Sequence, residues 1–409
     1  MKKYILFLLI IGLLVGCKSA NEPTLENEAK PIKLSSVQKA RVGQDNDFAF
    51  DLLRNTIIKT KATEPNVFIS PLSVSIAFGM VRNGANGETK TEIEKALRLS
   101  GLTDAEINDY YRIMQTELPS IDKKTKLSIA NAIWLRSGFT AKPDYLKTNA
   151  DYFKAYIKTV DFGQSWALDT INDWAKRNTN GLIPKVLNEL DADLVALLMN
   201  AVYFKGTWVS RFNKESTKEA DFKNEQGEYV KVNMMSCKST FDYTKDDVAQ
   251  YLDMPYGNKA FSMTVILPNE NKTTDDVLKQ LNTAQLAAIL GKMQPTETNV
   301  FFPRFKVKNK FELIPMLDAM GIKKAFTPLA DFSRMCNSSV FISFVKHDTY
   351  VEVTEEGTEA AAVTTIGFKN TSMPQENYFV ANKPFLFLIR EKSTGVILFI
   401  GKMGNVEKF

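Results

Sequence analysis

Few side chains in this 409-residue chain are of the most reactive types: one histidine, His347, and three cysteines, Cys17, Cys237 and Cys336. Their spacing excludes most of the chemistry they could do. No GxSxG elbow offers a serine nucleophile, no HExxH helix offers a zinc site, and no glycine-rich loop offers a phosphate cradle. Cys237 and Cys336 lie far apart without CxxC or zinc-ligand spacing, so they are expected to be free and buried, although an exported compartment would also permit them to pair. No metal and no cofactor is expected, and the chain does not read as an enzyme. Its net charge of +5 comes without a concentrated basic stripe carrying interleaved aromatics, which argues against nucleic acid as a partner.

The chemistry that remains belongs to a stretch of backbone. Residues 351–368 read as a strand that continues into what should be a loop, with small and β-branched residues where turn formers belong. There is no proline between Val351 and Met373. Thr358, Ala360, Ala362, Thr364 and Ile366 fall on one face at period two, and Glu359, Ala361, Val363 and Thr365 on the other. One face is therefore small enough to bury, and the segment has the makings of a strand held in reserve. An ordinary strand and a short helix over Ala360 to Ala362 are the alternatives; Gly357 and the run Val363 to Ile366 weaken the helix.

These residues must be held by a framework. Hydrophobic content of 44% and charged content of 24% are those of a globular protein able to bury a large core. The length would suit two or three average domains, yet no internal linker is visible. Residues 1–17 stand apart: Lys2 and Lys3, an apolar run from Tyr4 to Val15, then Gly16 and Cys17, the pattern of a secretory signal. Leu14-Val15-Gly16-Cys17 resembles the bacterial lipobox, which implies lipid on the Cys17 thiol; a simple cleaved signal or a short anchor is the alternative. An apolar run of about a dozen residues is short for a span, which needs about twenty. Residues 18–42 read as a flexible tether and residues 43–409 as the domain. Lipidation and tether together imply an exported protein anchored to the bacterial cell envelope, with a surface exposed to extracellular macromolecules.

Within the domain, helices are expected near Phe48 to Ile58, after Pro71, and over Thr91 to Leu97, Ile171 to Arg177, Val277 to Leu290 and Phe311 to Met320. Strands are expected over Leu127 to Leu135, Leu197 to Phe204, Phe261 to Leu267, Val300 to Val307, Val340 to Phe344, Phe385 to Arg390 and Val396 to Ile400. Their irregular order, without a βα repeat, predicts an α+β fold with large, mostly antiparallel sheets.

At this level of detail the sequence resembles the serpins, over essentially all of residues 43–409. Asn66 to Met80 looks like that family's strand and helix beneath the main sheet. Asn200-Ala201-Val202-Tyr203-Phe204-Lys205-Gly206-Thr207-Trp208 looks like its central strand, and Glu355-Glu356-Gly357-Thr358-Glu359-Ala360-Ala361-Ala362 is similar to its hinge. Phe302-Pro303-Arg304-Phe305, Met320-Gly321-Ile322, Ala330-Asp331-Phe332-Ser333, Lys383-Pro384-Phe385-Leu386-Phe387 and Gly401-Lys402 complete the likeness. Asn172-Asp173-Trp174 with Thr179-Asn180-Gly181 resembles the helix lying across the main sheet. The resemblance implies three mostly antiparallel sheets, about eight or nine helices and an exposed reactive-centre loop from Gly357 to about Tyr378.

It also implies a function: a monomeric suicide-substrate inhibitor of serine proteases. The protease would acylate itself on the loop, and insertion of the cut strand into the central sheet would carry it about 45 Å before water could release it. Serpin loop insertion is a standing example of strand addition and of an order change. Counting from the hinge glycine places the scissile bond at Thr371-Ser372, with Lys369 and Met373 as alternatives. Thr371 suits an elastase-like protease, Lys369 a trypsin-like one, and a papain-like cysteine protease is a further candidate partner. His347 takes the place of a histidine beneath the sheet, with Ser70, Ser73 and Asn200 as neighbours, in the zone that must part. Arg304 and Glu355 match an ion pair at the top of the sheet beside Trp208. The alternative function is a non-inhibitory serpin that binds a ligand or chaperones another protein.

Each inward position of the hinge is uncharged and compact, because a charge buried in a closed sheet costs several kcal/mol. Thr358→Arg or Ala360→Arg is therefore expected to turn the inhibitor into a substrate, cleaved without trapping; covalent complex at undiminished yield on a denaturing gel would contradict the insertion reading.

Overall fold

In this computed structural model, which describes residues 29–358 and 376–409, the chain begins with an abrupt helix start. Ser35 and Gln38 form a reciprocal capping box, which satisfies two of the free N–H groups at the start of α1 (Ser36–Thr60). Residues 36–42, read from the sequence as tether, are thus part of a helix, with Arg41 and Val42 buried. The polar composition of this stretch disguised about two turns of helix whose contacts are made by tertiary packing.

After α1 come β1 (Val67–Ile69), α2 (Pro71–Gly84), α3 (Gly87–Ala96), α4 (Asp104–Glu117), β2 (Lys126–Arg136), α5 (Pro143–Phe153), β3 (Tyr156–Val160), α6 (Ser165–Asn178) and β4 (Ala196–Thr207). The middle of the chain supplies β5 (Lys218–Lys223), β6 (Tyr229–Lys245), β7 (Ala249–Tyr256), β8 (Phe261–Pro268), α7 (Thr274–Gln280), α8 (Thr283–Lys292), β9 (Gln294–Pro303), β10 (Phe305–Glu312) and α9 (Ile314–Ala319). It ends with β11 (Lys346–Val353), β12 (Gly357–Thr358), β13 (Asn377–Val380), β14 (Phe385–Glu391) and β15 (Ile397–Met403).

The strands form three sheets among the described residues. One runs β1-β15-β14-β8-β7-β6-β9-β13, with β5 on the side of β6; the others are β12-β4-β2-β3 and the pair β10-β11. All pairings are antiparallel except β2 with β3 and β9 with β13. The class expected from the sequence, α+β with mostly antiparallel sheets, is the class found. β8, β14 and β15 are buried along their whole length, as befits strands covered on both faces. The main core joins α1, α2 and the large sheet, while a smaller apolar cluster under α6 packs Trp174, Ile171 and Ala167 on Trp134, Leu197 and Ala201. Helix α6 thus lies on one face of β2, β3 and β4, where the resemblance put it.

Some sequence boundaries shift for local reasons. Residues 277–290 are two helices, because Asn282 breaks the run and caps α8 by accepting the Gln285 N–H at 2.9 Å. Residues 300–307 are two strands that divide at Arg304, whose N–H bonds Asn233 O at 2.8 Å, one step beyond the last β6–β9 pair, Met234 and Pro303. β10 runs on through Glu312, leaving α9 only Ile314–Ala319 of the expected helix. Residues 340–344 form no strand; Ile342 N–H instead bonds Ala325 O in a loop. Cys237 and Cys336 are free, Cys336 buried and Cys237 only half-buried.

Candidate functional site

The site is a place where a sheet is interrupted. β4 is paired along its length with β2 on one side, and on the other only with β12, through Gly357 opposite Thr207 and Thr358 opposite Gly206. β11 is paired with β10 from Glu312↔Lys346 to Phe305↔Val353, and shares no ladder with β4 among the described residues. Both strands run toward the hinge, so any strand threaded between them from that end is antiparallel to both. A cavity of about 490 Å³ lies between their far halves, lined by Leu197 to Val202 of β4, Lys346 to Thr349 of β11, and Ala175 and Thr179 of the α6 region. Alternate residues of β4 face opposite ways: Leu198, Val202 and Phe204 toward the main core, Leu197, Met199 and Ala201 toward α6.

Ser70 governs the far end. It caps α2, accepting the Ser73 N–H at 3.3 Å, and donates its own hydroxyl to Leu398 O at 2.8 Å. Its N–H donates to His347 Nε2 at 3.0 Å, which ties α2 to β11. Ser73 Oγ bonds Asn200 Oδ1, tying the same helix to β4. Asn200 in turn donates to Asn131 Oδ1 at 2.7 Å, and Asn131 donates to Phe153 O at 2.7 Å. The start of α2 therefore holds both lips of the gap, one through the Ser70 backbone N–H and the other through the Ser73 hydroxyl. Burial pushes the His347 imidazolium down to a pKa of about 4, so the ring is neutral at ordinary pH and free to accept the Ser70 N–H.

The hinge end is closed by a reverse turn. Thr354 N–H bonds Gly357 O at 2.9 Å and Gly357 N–H bonds Thr354 O at 3.2 Å, folding the chain from β11 back into β12. Gly357 has φ +135°, and a Cβ there would lie 2.3 Å from Gly206 O, so only glycine fits. Trp208 stacks on Tyr256 at 4.3 Å and clamps the turn with two donors, Nε1 to Thr354 O at 3.0 Å and N–H to Glu356 O at 2.9 Å. Both hinge glutamates are buried. Glu355 accepts from Thr217 Oγ1 at 2.8 Å and lies 3.7 Å from Arg304 Nη1; Glu356 pairs with Lys214 at 2.5 Å.

Residues 43–406 match the family described as Serpin (serine protease inhibitor). This chain is a serpin. Human Serpin I2 is 30% identical over 382 residues, covering 91% of this chain and 93% of its own length. The leukocyte elastase inhibitor of Bos taurus is 34% identical over 353 residues, covering 83% and 93%. Among solved structures, the thermophilic serpin tengpin in its native state matches with a TM-score of 0.83 at 32% identity, over 93% of this chain and 97% of its own. Human thyroxine-binding globulin, complexed with thyroxine, matches with a TM-score of 0.82 at 26% identity, over 91% and 100%.

In this serpin Ser70, Ser73, Asn200 and His347 are brought together at one end of the gap, and Trp208, Arg304, Glu355, Glu356 and Gly357 at the other. Both ends of the loop expected over Gly357 to about Tyr378 are strand: Gly357 and Thr358 are paired to β4, and Asn377 to Val380 form β13 beside β9. Cys17, Glu359, Ala360, Ala361, Ala362, Lys369, Thr371, Ser372 and Met373 lie outside the described residues. Sequence reasoning missed Asn131, Thr217 and Lys214, whose parts depend on strand register and leave no local pattern, and Phe409, considered below.

The pH dependence follows from His347. Its folded pKa of about 4 is below the ordinary 6.5, so the unfolded chain takes up the proton first. The stability contributed is complete above about pH 6.5 and is lost as pH falls through about 4, an effect on the order of 3 kcal/mol. Urea unfolding between pH 7 and pH 4 should show this decline, and His347→Gln should flatten it; superimposable pH profiles would contradict the assignment.

Proposed function

We propose that this serpin inhibits serine proteases by inserting its cleaved loop between β4 and β11. The observation that carries the proposal is the pairing of Gly357 and Thr358 with Thr207 and Gly206, a first rung set at the mouth of a gap that β4 and β11 do not close with one another among the described residues. Continued in the same register, the strand would bring Ala360 opposite Phe204, Ala362 opposite Val202 and Thr364 opposite Asn200, all on the core side of β4. Glu359 would fall on the outer side, opposite Lys205, where opposite charges on paired positions are favourable. The register reaches the beginning of β4, at Ala196, with Phe368. Each rung replaces backbone groups that β4 and β11 do not pair with one another, at about 1 kcal/mol net per bond.

A cut after Lys369, Thr371 or Met373 leaves chain enough to reach Ala196, so strand length does not choose among them; the count from the hinge glycine favours Thr371-Ser372, and a small residue there favours elastase-like targets. The similarity to a leukocyte elastase inhibitor is in keeping with this choice. A second reading, a non-inhibitory ligand carrier, is supported by the similarity to a thyroxine-bound globulin. Mixing the protein with pancreatic elastase and running a denaturing gel separates the two: a band at the summed mass is expected, and clean cleavage with no such band would sink the inhibitory reading in favour of the second.

The amino-terminal segment completes the proposal, with lipid on Cys17 anchoring the inhibitor to the cell envelope as a monomer that meets proteases outside the cell. Metabolic labelling with a radioactive fatty acid is expected to mark the wild-type protein and to be lost in Cys17→Ser; equal labelling of both would overturn the anchor.

A further inference from the structure

Arg304 is expected from the sequence to pair with Glu355, but its closest partner is elsewhere. Its Nη2 donates to Phe409 O at 2.9 Å, and its guanidinium sits 5.3 Å from the centre of the Phe409 ring. Lys306 Nζ lies 4.7 Å from the same ring centre, and Asn233 Nδ2 donates to the same oxygen at 2.9 Å. Asn233 is also the residue whose carbonyl accepts the Arg304 N–H. Phe409 is thus held between two cations and an amide: its ring faces Arg304 and Lys306, and its backbone oxygen takes Arg304 Nη2, which leaves Nη1 as the guanidinium nitrogen nearest Glu355. Glu355, at 3.7 Å, receives charge attraction from Arg304 without a hydrogen bond and takes its directed bond from Thr217. Arginine over an aromatic face with one N–H on a carbonyl is a well-populated geometry, and it competes directly with the forked carboxylate pairing that arginine otherwise prefers.

We infer that Phe409 is a positioning residue for loop insertion: it holds Arg304 off Glu355, so that the hinge carboxylate is gripped loosely where the strand must begin to move. The inference rests on the insertion reading above. Without the ring, only the bond to the Phe409 backbone oxygen restrains the guanidinium, which can then turn its other N–H groups onto Glu355 and tighten the turn at Thr354 to Gly357.

The test measures sheet opening without a protease, using a synthetic peptide of residues 358–369 that anneals into the intact protein and is followed by native gel shift. Phe409→Ala should lengthen the annealing half-time about threefold, the effect of gaining one partly exposed ion pair. Phe409→Trp should restore the wild-type rate. In a Glu355→Gln background, Phe409→Ala should have no effect, since no carboxylate is left to close upon. Equal half-times for wild type and Phe409→Ala, or the same slowing with and without Glu355, would overturn the inference and show the ring to be merely structural. Failure of the wild type to trap elastase, with these annealing differences intact, would remove the inhibitory reading and leave the role of Phe409 standing.

Discussion

The structure depends on two strands that run side by side without pairing. β4 and β11 point the same way, each satisfied on its outer side by a neighbour and meeting only through what is placed at the two ends of the space between them. Backbone donors and acceptors left unpaired inside a protein are costly, and an unpaired strand edge is a template for another strand. Here that template lies within one chain, and the hinge supplies the strand that starts to fill it.

Both ends are fastened by groups that hold well and let go readily. At the far end the links are single hydrogen bonds, the Ser70 backbone N–H to His347 and the Ser73 hydroxyl to Asn200, with the imidazole kept neutral by burial. Neutral bonds of this kind contribute about 1 kcal/mol each, enough to set an arrangement and too little to forbid its loss. At the hinge end, Trp208 holds backbone carbonyls, which bind whatever side chains the turn carries, and the two glutamates are each held by a different partner. α6 covers the outer face through an apolar cluster; the bonds of Asn172 run to the loop at Val186 and Leu187, and just past the helix Asn180 donates to Tyr203 Oη of β4 at 3.3 Å.

Much of this was legible before any coordinates. The small-residue alternation after Val353 and the serine-proline break at Ser70-Pro71 pointed to a strand in reserve and a helix start, and the resemblance put His347 in the zone that must part. The structure sets Ser70 and His347 at one end of the gap and Gly357 and Thr358 at the other, while the alternation from Glu359 onward lies outside the described residues. What was not legible follows a common physical pattern. The helix through residues 36–42 has a polar sequence whose burial comes from distant packing, residues 340–344 are apolar yet belong to a loop, and Asn131, Thr217 and Phe409 act through partners far away in the chain.

The sequence by itself determined the fold class, the order of the main elements, and the glycine at the hinge turn, because these rest on local periodicity and on glycine's unique access to positive φ at Gly357. Only the tertiary structure decided that β4 and β11 stand apart, that the first two hinge residues already pair with β4, and that Arg304 spends its directed bond on Phe409. Those are choices among partners of comparable strength, and which partner wins is settled by distances that no single segment of the chain contains.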